Sequence, residues 1–369
     1  MPAYKYQMKS GKTKWYANFY YTDWLGQKQH KCKRGFDTKR EAQEWERNFL
    51  ESTSKDPTIT FAALCEKYFE EIEERTKPTT QENKESIIEG KLTPYFGKMK
   101  ICDIDPATVM RWQNELLSYR DEKGKPYSQT YLRSIHNQLS SVMNYAVKFY
   151  GLRANPCKVA GVIGKDSADE MSIWTKDQFD RFLEHEHMRM YRLAFSILFY
   201  SGIREAELLA LTPADVYNEL LDINKNYAKV KGKEYFLTPK TPRSVRKVTI
   251  PESLYKELRE YIQVCAIEDE ERIFDRTKHA LLGEFRRASD RAGLDRIRIH
   301  DLRHSHVSLL IEMGFSIEEI SERLGHESAA ITWKTYAHLY PGKDKALAKR
   351  LEDVRKKSIK DLPTAPSEQ

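Results

Sequence analysis

Apolar residues recur at helical spacing along most of the chain and at strand spacing only in short stretches. Near the start, W-Y-A-N-F-Y-Y at residues 15–21 is aromatic-rich and predicts a strand. D-W-L-G-Q at 23–27 supplies a turn, and K-Q-H-K-C-K-R at 28–34 predicts a second, basic strand. Thr38 and Glu41 form a capping-box signature, opening a helix that runs to about residue 51. Thr60 caps a helix whose apolar positions Phe61, Leu64, Tyr68, Phe69 and Ile72 share one face. A second helix is expected from near Thr80 to Tyr95, ending before Gly97. Asp105 followed by Pro106 is a cap and first-position proline that starts a third, through Leu117. After a loop at 121–126, Ser128 opens a long helix that closes at Gly151, so 57–160 reads as a four-helix bundle.

G-V-I-G-K-D-S-A-D-E-M-S at 161–172 has no apolar period and reads as an interdomain linker. Helices follow near 175–184 and 190–200, then strands near 220–224 and 227–230. A further pair of strands flanks T-P-K-T-P-R-S-V-R at 238–246. Helices resume at 252–264 and 280–292, and a charged helix at 343–357 precedes a polar tail. The expected fold class is mainly α with small β elements. It comprises a sheet-plus-helix module (1–56), the bundle (57–160), the linker, a mixed α/β domain (173–342) and a C-terminal helix and tail (343–369).

Charge sharpens the first module. Residues 1–50 carry 11 Lys and Arg against 5 Asp and Glu, almost the whole of the +7 formal charge. A compact basic module points to a polyanion, nucleic acid first. Basic side chains alternate along the second strand, so Lys31 and Lys33 are expected to face one way while Cys32 packs. A two- or three-stranded ribbon of this width enters a DNA major groove, with Lys12, Lys14, Lys31, Lys33 and Arg34 as candidate contacts. The five cysteines are far apart and form no C-x-x-C pair, which argues against disulfides and against zinc. His185, Glu186 and His187 lack H-E-x-x-H spacing and read as helix surface, so no metal site is expected. The start lacks the apolar run of a signal peptide and no stretch reaches membrane-span length, so a soluble cytoplasmic protein is expected.

The candidate chemistry lies between His300 and Tyr336, which includes H-D-L-R-H-S-H, L-G-H and T-Y. His300 and Arg303 are three apart and share a helical face. Arg303 offers a planar fork of donors for two phosphate oxygens. Arg204, just after Gly202, is placed to be turned inward, and two arginines on one phosphate suit a pentacoordinate phosphorane. Tyr336 is the nucleophile candidate, with Tyr340 its local competitor, and His300 and His326 supply proton transfer.

S-G-I-R-E-A-E-L-L-A-L, H-D-L-R-H, L-G-H and T-W-K-T-Y-A-H, in this order, resemble the boxes of the tyrosine recombinase family of phage and mobile-element integrases. Ser201 stands where that family usually has threonine, while Arg204 and the supporting Glu207 fall in place. The tyrosine ten residues after His326 is Tyr336, which disfavours Tyr340. The resemblance implies a catalytic lysine in a β-hairpin between the arginine boxes and points to Lys240, with Lys231 and Lys233 as alternatives. It also implies a core-site-binding bundle, an arm-site-binding N-terminal module and a C-terminal helix that docks on a neighbouring subunit. The implied activity is site-specific recombination through a 3′-phosphotyrosyl intermediate, integrating or excising a phage or mobile element. Tyr336 attacks, Arg204 and Arg303 stabilise the phosphorane, Lys240 protonates the leaving 5′-oxygen, and no ATP, metal or other cofactor is needed. The implied partners are double-stranded attachment DNA and three further copies of the chain in a tetramer, with a directionality factor and a host DNA-bending protein. The implied setting is the cytoplasm of a bacterial host, on the nucleoid. The alternatives are a type IB topoisomerase-like DNA-relaxing enzyme and a catalytically silent DNA-binding regulator.

Overall fold

The computed structural model describes residues 3–7, 12–22, 28–53, 58–166, 172–239, 241–337, 348, 351–353 and 355–356. The chain divides into two compact units, 1–169 and 170–369.

The first unit begins with an antiparallel sheet of β1 (Ala3–Gln7), β2 (Thr13–Thr22) and β3 (Lys28–Phe36), followed by α1 (Lys39–Thr53). The expected turn at 23–27 lies outside the described residues. The Thr38 hydroxyl accepts from Glu41 N at 3.1 Å, starting the helix as its capping signature demands. Trp45 and Phe49 of the helix pack on Phe19, with ring centroids 6.1 and 5.6 Å apart, over a floor that includes fully buried Ala17.

This packing reverses one expectation. In the β2–β3 register Lys33 lies opposite Ala17 and Lys31 opposite Phe19, on the face that α1 covers. Lys31 Nζ sits 5.4 Å from the Phe49 ring and Lys33 Nζ 5.0 Å from the Trp45 ring, while Cys32 is exposed on the other face. Alternation along a strand defines two faces but does not say which one the helix takes. The helix takes the face where β2 offers small Ala17 and apolar Phe19. The open face therefore carries Lys14, Arg34 and His30 among Tyr4, Tyr6, Tyr16 and Tyr20.

The bundle follows. α2 (Phe61–Ile72) is capped by Thr60, and α3 (Pro78–Ile87) runs through a π turn (Ile88–Leu92) into α4 (Thr93–Phe96). α5 (Pro106–Ser118) is capped by Asp105, whose carboxylate accepts from Thr108 N at 2.7 Å. Ser128 caps α6 (Gln129–Phe149), and α7 (Pro156–Ala160) closes the unit. Phe61, Phe96, Trp112 and Met143 lie at its centre. The expected linker begins against this bundle: Lys165 N donates to Gln129 O, and Gln113 reaches Gly161 O.

The second unit holds the mixed α/β part. α8 (Lys176–Glu184), with a capping box at Thr175, precedes α9 (Arg189–Ser201) and the short α10 (Glu205–Leu208). β4 (Val216–Tyr217), β5 (Leu220–Ile223) and β8 (Arg246–Thr249) form one sheet, and β6 (Asn226–Val230) and β7 (Lys233–Leu237) a separate hairpin. The strands flanking the T-P-K-T-P-R-S-V-R segment thus pair with other strands, not with each other. The hairpin turns at Lys231 and Gly232, both at positive φ as a two-residue hairpin turn requires.

α11 (Glu252–Val264), α12 (Lys278–Arg291), α13 (Asp301–Glu312), α14 (Ile317–Leu324) and α15 (Ala329–Tyr336) complete the described fold. Phe179 stacks on Phe199 at 3.9 Å in the main core. A second small cluster of Val307, Ile311, Ile320 and Leu324 encloses Tyr336. The expected helix at 343–357 falls largely outside the described residues. His185-Glu186-His187 is not plain helix surface: Glu186 is buried, accepting from Met188 N at 2.9 Å, with Arg291 3.7 Å away. The sequence hides this because Arg291 lies on another helix. Among the described residues no cluster suited to a metal ion and no helix long and apolar enough to cross a membrane is found.

Candidate active site

The site is built on two left-handed turns. α9 ends at Gly202 (φ +67°) and α14 at Gly325 (φ +66°). At Gly202 a Cβ would lie 2.5 Å from His306 Cδ2, so the position has room only for glycine. The first turn delivers Arg204, which caps α10, and the second delivers His326.

Arg303 lies in the first turn of α13, and its residue is only 3% exposed. One guanidinium nitrogen, Nη1, donates to Gly202 O at 2.6 Å. The other, Nη2, donates to Leu324 O at 2.8 Å and to His326 Nε2 at 3.0 Å. Both carbonyls belong to helix C-terminal turns, where partial negative charge collects. Burial first, then Arg204, pushes the Arg303 pKa below its ordinary value, yet it stays protonated at neutral pH. Among the described residues it forms no ion pair with a carboxylate.

An arginine can only donate, so His326 Nε2 must present its lone pair to Arg303. The ring proton is then on Nδ1, which donates to Thr332 Oγ1 at 2.7 Å. Burial and the charge of Arg303 hold the pKa of His326 down to about 4, which agrees with a neutral ring. His300 stands immediately before α13, where partial burial and then Arg303 lower its pKa. Asp301 is turned away, paired with the Arg298 guanidinium at 2.8 Å.

Glu207 is 1% exposed and joins two arginines. Oε1 accepts from Arg204 Nη1 at 2.8 Å, and Oε2 accepts from Arg204 N at 2.8 Å. Arg246 of β8, its side chain 7% exposed, adds bonds of 3.2 and 3.0 Å to the same carboxylate. Burial raises the Glu207 pKa, but hydrogen bonds and charge from Arg246 and Arg204 outweigh it and hold it below the ordinary carboxylate value.

Tyr336, at the end of α15, is 1% exposed. Its hydroxyl lies 2.6 Å from His304 Nδ1, and the His304 ring stands edge-on to His300 at 5.2 Å. Burial lifts the Tyr336 pKa to about 12, with Arg303 pulling the other way.

The structure thus brings together Arg204, Glu207, His300, Arg303, His326 and Tyr336. Lys240 and Tyr340 lie outside the described residues. Lys231 and Lys233 lie on the β6–β7 hairpin, both exposed. Lys12, Lys14 and Arg34 are in the first unit, Lys12 and Arg34 exposed and Lys14 half-buried. Two side chains at the site were not read from the sequence as functional: Arg246 and His304. Arg246 ends the T-P-K-T-P-R-S-V-R segment and His304 lies in H-D-L-R-H, but their partners are 39 and 32 residues away in the chain.

Comparison with known proteins bears on the family. Residues 173–343 match the phage integrase family, residues 60–117 its N-terminal SAM-like domain, and residues 3–53 an arm DNA-binding domain. The chain is 30% identical to the ICEBs1 integrase of Bacillus subtilis, over 86% of this chain and 90% of that protein. It is 24% identical to the integrase of Mycobacterium phage L5, over 88% and 91%. Among solved structures, the Tn1549 transposon integrase in complex with a circular intermediate DNA shares the fold, with a TM-score of 0.63. That match has 19% identity and covers 79% of this chain and 99% of that one. A lambda integrase tetramer bound to a Holliday junction gives a TM-score of 0.56 at 17% identity, over 89% and 97%. With arginines, histidines and a buried tyrosine gathered in one site, and with a 30% identical relative matched along most of its length, the chain belongs to the phage integrase family of tyrosine-type site-specific recombinases.

Proposed function

We propose that Tyr336 attacks a phosphodiester of attachment-site DNA, forming a 3′-phosphotyrosyl bond and freeing a 5′-hydroxyl. The enzyme is a site-specific DNA recombinase. Arg303 and Arg204 would bind the non-bridging oxygens, His300 and His326 would assist at the phosphate, and Glu207 would aim Arg204. Lys240 would protonate the leaving 5′-oxygen, with Lys231 and Lys233 as the competing assignments. The reading rests on one observation above others: the buried tyrosine hydroxyl lies within electrostatic reach of a buried guanidinium that forms no ion pair with a carboxylate among the described residues.

The division of labour along the chain is also proposed. Residues 1–56 would bind arm sites through the open sheet face, 57–160 the core site, 161–172 link, and 173–342 cut and rejoin. Residues 343–369 would dock on a neighbour in a tetramer, assisted by a directionality factor and a host DNA-bending protein in the bacterial cytoplasm. No resident metal or cofactor enters this scheme, since the phosphotyrosyl bond conserves the phosphodiester energy.

Tyr336→Phe tests the core of it. On a nicked suicide substrate the variant should form no covalent adduct while its core-site affinity stays within about threefold, a difference under ~0.7 kcal/mol. An adduct persisting in this variant would refute the assignment. A 5′-bridging phosphorothiolate, whose sulfur leaves without a proton, should rescue Lys240→Ala and not Arg303→Ala. Rescue of Lys231→Ala or Lys233→Ala instead would move the general acid to the hairpin.

A further inference from the structure

We infer that His304 is the base that takes the proton of Tyr336 during strand cleavage and returns it during rejoining. The inference rests on Tyr336 being the nucleophile. The sequence suggested His300 and His326 for proton transfer, but neither is hydrogen-bonded to the phenol. His326 has Nε2 occupied by Arg303 and Nδ1 by Thr332. His304 Nδ1 is the group in contact, 2.6 Å from Oη and hence within the reach a general base requires.

The direction of that bond follows from the surroundings. A buried phenol is protonated and donates, so Nδ1 accepts and the ring proton is on Nε2. The groups facing His304 are Asp301 and Arg303 of its own helix and Arg298 and His300 just before it. Tyr336 faces it from α15 and His326 from the turn after α14. Burial first, then His300, with Arg298 and Arg303 adding to it, holds its pKa down to about 4; Asp301 alone opposes them. In that state the imidazole is neutral but a poor base.

A bound phosphodiester changes this balance. Its negative charge, placed on Arg303 and beside His300, offsets the cations that burden His304 and raises its basicity. The base is therefore strengthened by the substrate, and the phenol remains protonated until a phosphate is in the site. In cleavage the Oη–H proton moves to Nδ1, the Oη–P bond forms and the P–O5′ bond breaks, the 5′-oxygen taking a proton from the general acid. In rejoining the incoming 5′-hydroxyl returns its proton to the deprotonated general acid as it attacks phosphorus, the P–Oη bond breaks and the imidazolium returns its proton to Oη. Charge and atoms balance without an added reactant.

The test is His304→Asn in the full chain, because the Asn carbonyl can stand where Nδ1 stands. It can accept the phenol's hydrogen bond but cannot take the proton. Single-turnover cleavage of a suicide substrate is measured from about pH 6 to 9.5, across the range in which a histidine base and hydroxide exchange roles. At about pH 7 the variant should cleave roughly 100-fold or more slowly, in the range general bases contribute. Its rate should rise about tenfold per pH unit where the wild-type rate is flat, because hydroxide replaces the base. His304→Ala supplies a second arm: added imidazole should restore cleavage, and more basic imidazoles should restore it further. A wild-type pH profile in His304→Asn, or no response of His304→Ala to imidazole, overturns the inference. Adduct formation by Tyr336→Phe would instead sink the nucleophile assignment, so the two failures are distinguishable.

Discussion

Replacing Glu207 by glutamine tests the charge arrangement most directly. The carboxylate is 1% exposed and holds Arg204 and Arg246 at 2.8 to 3.2 Å. A glutamine amide at this position would keep the shape but remove the charge. Arg246, with its side chain 7% exposed, would then be a buried cation facing the carbonyls of Arg323 and Ser244. Removing one partner of such a pair costs ~3–5 kcal/mol, because the survivor remains desolvated. For a unit of this size each kcal/mol moves Tm by about 2–4 °C, so the expected loss is roughly 6–20 °C. Hydrogen exchange by mass spectrometry on peptides spanning residues 203–211 and 244–250 reports the change locally, apart from the first unit. The double variant Glu207→Gln, Arg246→Met removes the orphaned charge and should recover ~2 kcal/mol or more of that loss. If Glu207→Gln costs less than about 1 kcal/mol, or the two changes simply add, the carboxylate is not the group that makes two buried arginines tolerable.

Two further outcomes follow from the geometry. His306 is 2% exposed, accepts from Arg323 Nε at 3.1 Å, and burial with the Arg323 charge holds its pKa down to about 3. Since the unfolded chain binds this proton near pH 6.5 and the native one does not, its stabilisation is full above that pH and is lost as pH falls toward 3. Linkage gives about 2 kcal/mol between about pH 7 and 5, so urea midpoints for wild type should fall over that interval while those of His306→Gln fall less; equal slopes would refute it. On the N-terminal sheet, Arg34→Ala should weaken arm-DNA binding and lower its salt slope by about one, whereas Lys31→Ala on the covered face should do less. Equal effects would mean that DNA engages more than the open face.

What the sequence made legible was local. Thr60, Asp105, Ser128 and Thr175 announce their helices because each cap satisfies a nearby backbone N–H at the helix start. The boxes around Arg204, Arg303, His326 and Tyr336 were legible by resemblance, and their convergence needed the fold. What stayed hidden depends on long-range packing. Nothing near Cys32 says that α1 takes the face of Ala17 and Phe19, so Cys32 was expected to pack and is instead exposed, while Lys31 and Lys33 lie beside the rings of α1. The pairing of β5 with β8 and β6 with β7 is likewise a matter of topology, and it puts Lys231 and Lys233 at a hairpin of its own. His304 and Arg246 escaped for the same reason: a histidine next to an arginine, or an arginine on a strand, acquires its role only from a partner elsewhere.

The charges at the site, counted group by group, suggest why it is built this way. Asp301 and Arg298 cancel, and Glu207 cancels only one of Arg204 and Arg246. Among the described residues Arg303 has carbonyls and a neutral imidazole as partners. Those residues therefore present two net positive charges to one phosphate. A phosphodiester carries one negative charge, whereas the phosphorane of the proposed reaction, formed once Tyr336 has given its proton to His304, carries two. Because that proton stays in the site on His304, the total charge does not change, but more negative charge gathers on the phosphoryl oxygens. Arg204 and Arg303 would therefore hold the transition state more strongly than the ground state, the condition under which binding energy accelerates chemistry rather than merely holding substrate. Two helix C-termini make that excess tolerable: their carbonyls solvate the Arg303 guanidinium without neutralising it, so no ion pair must break when phosphate arrives.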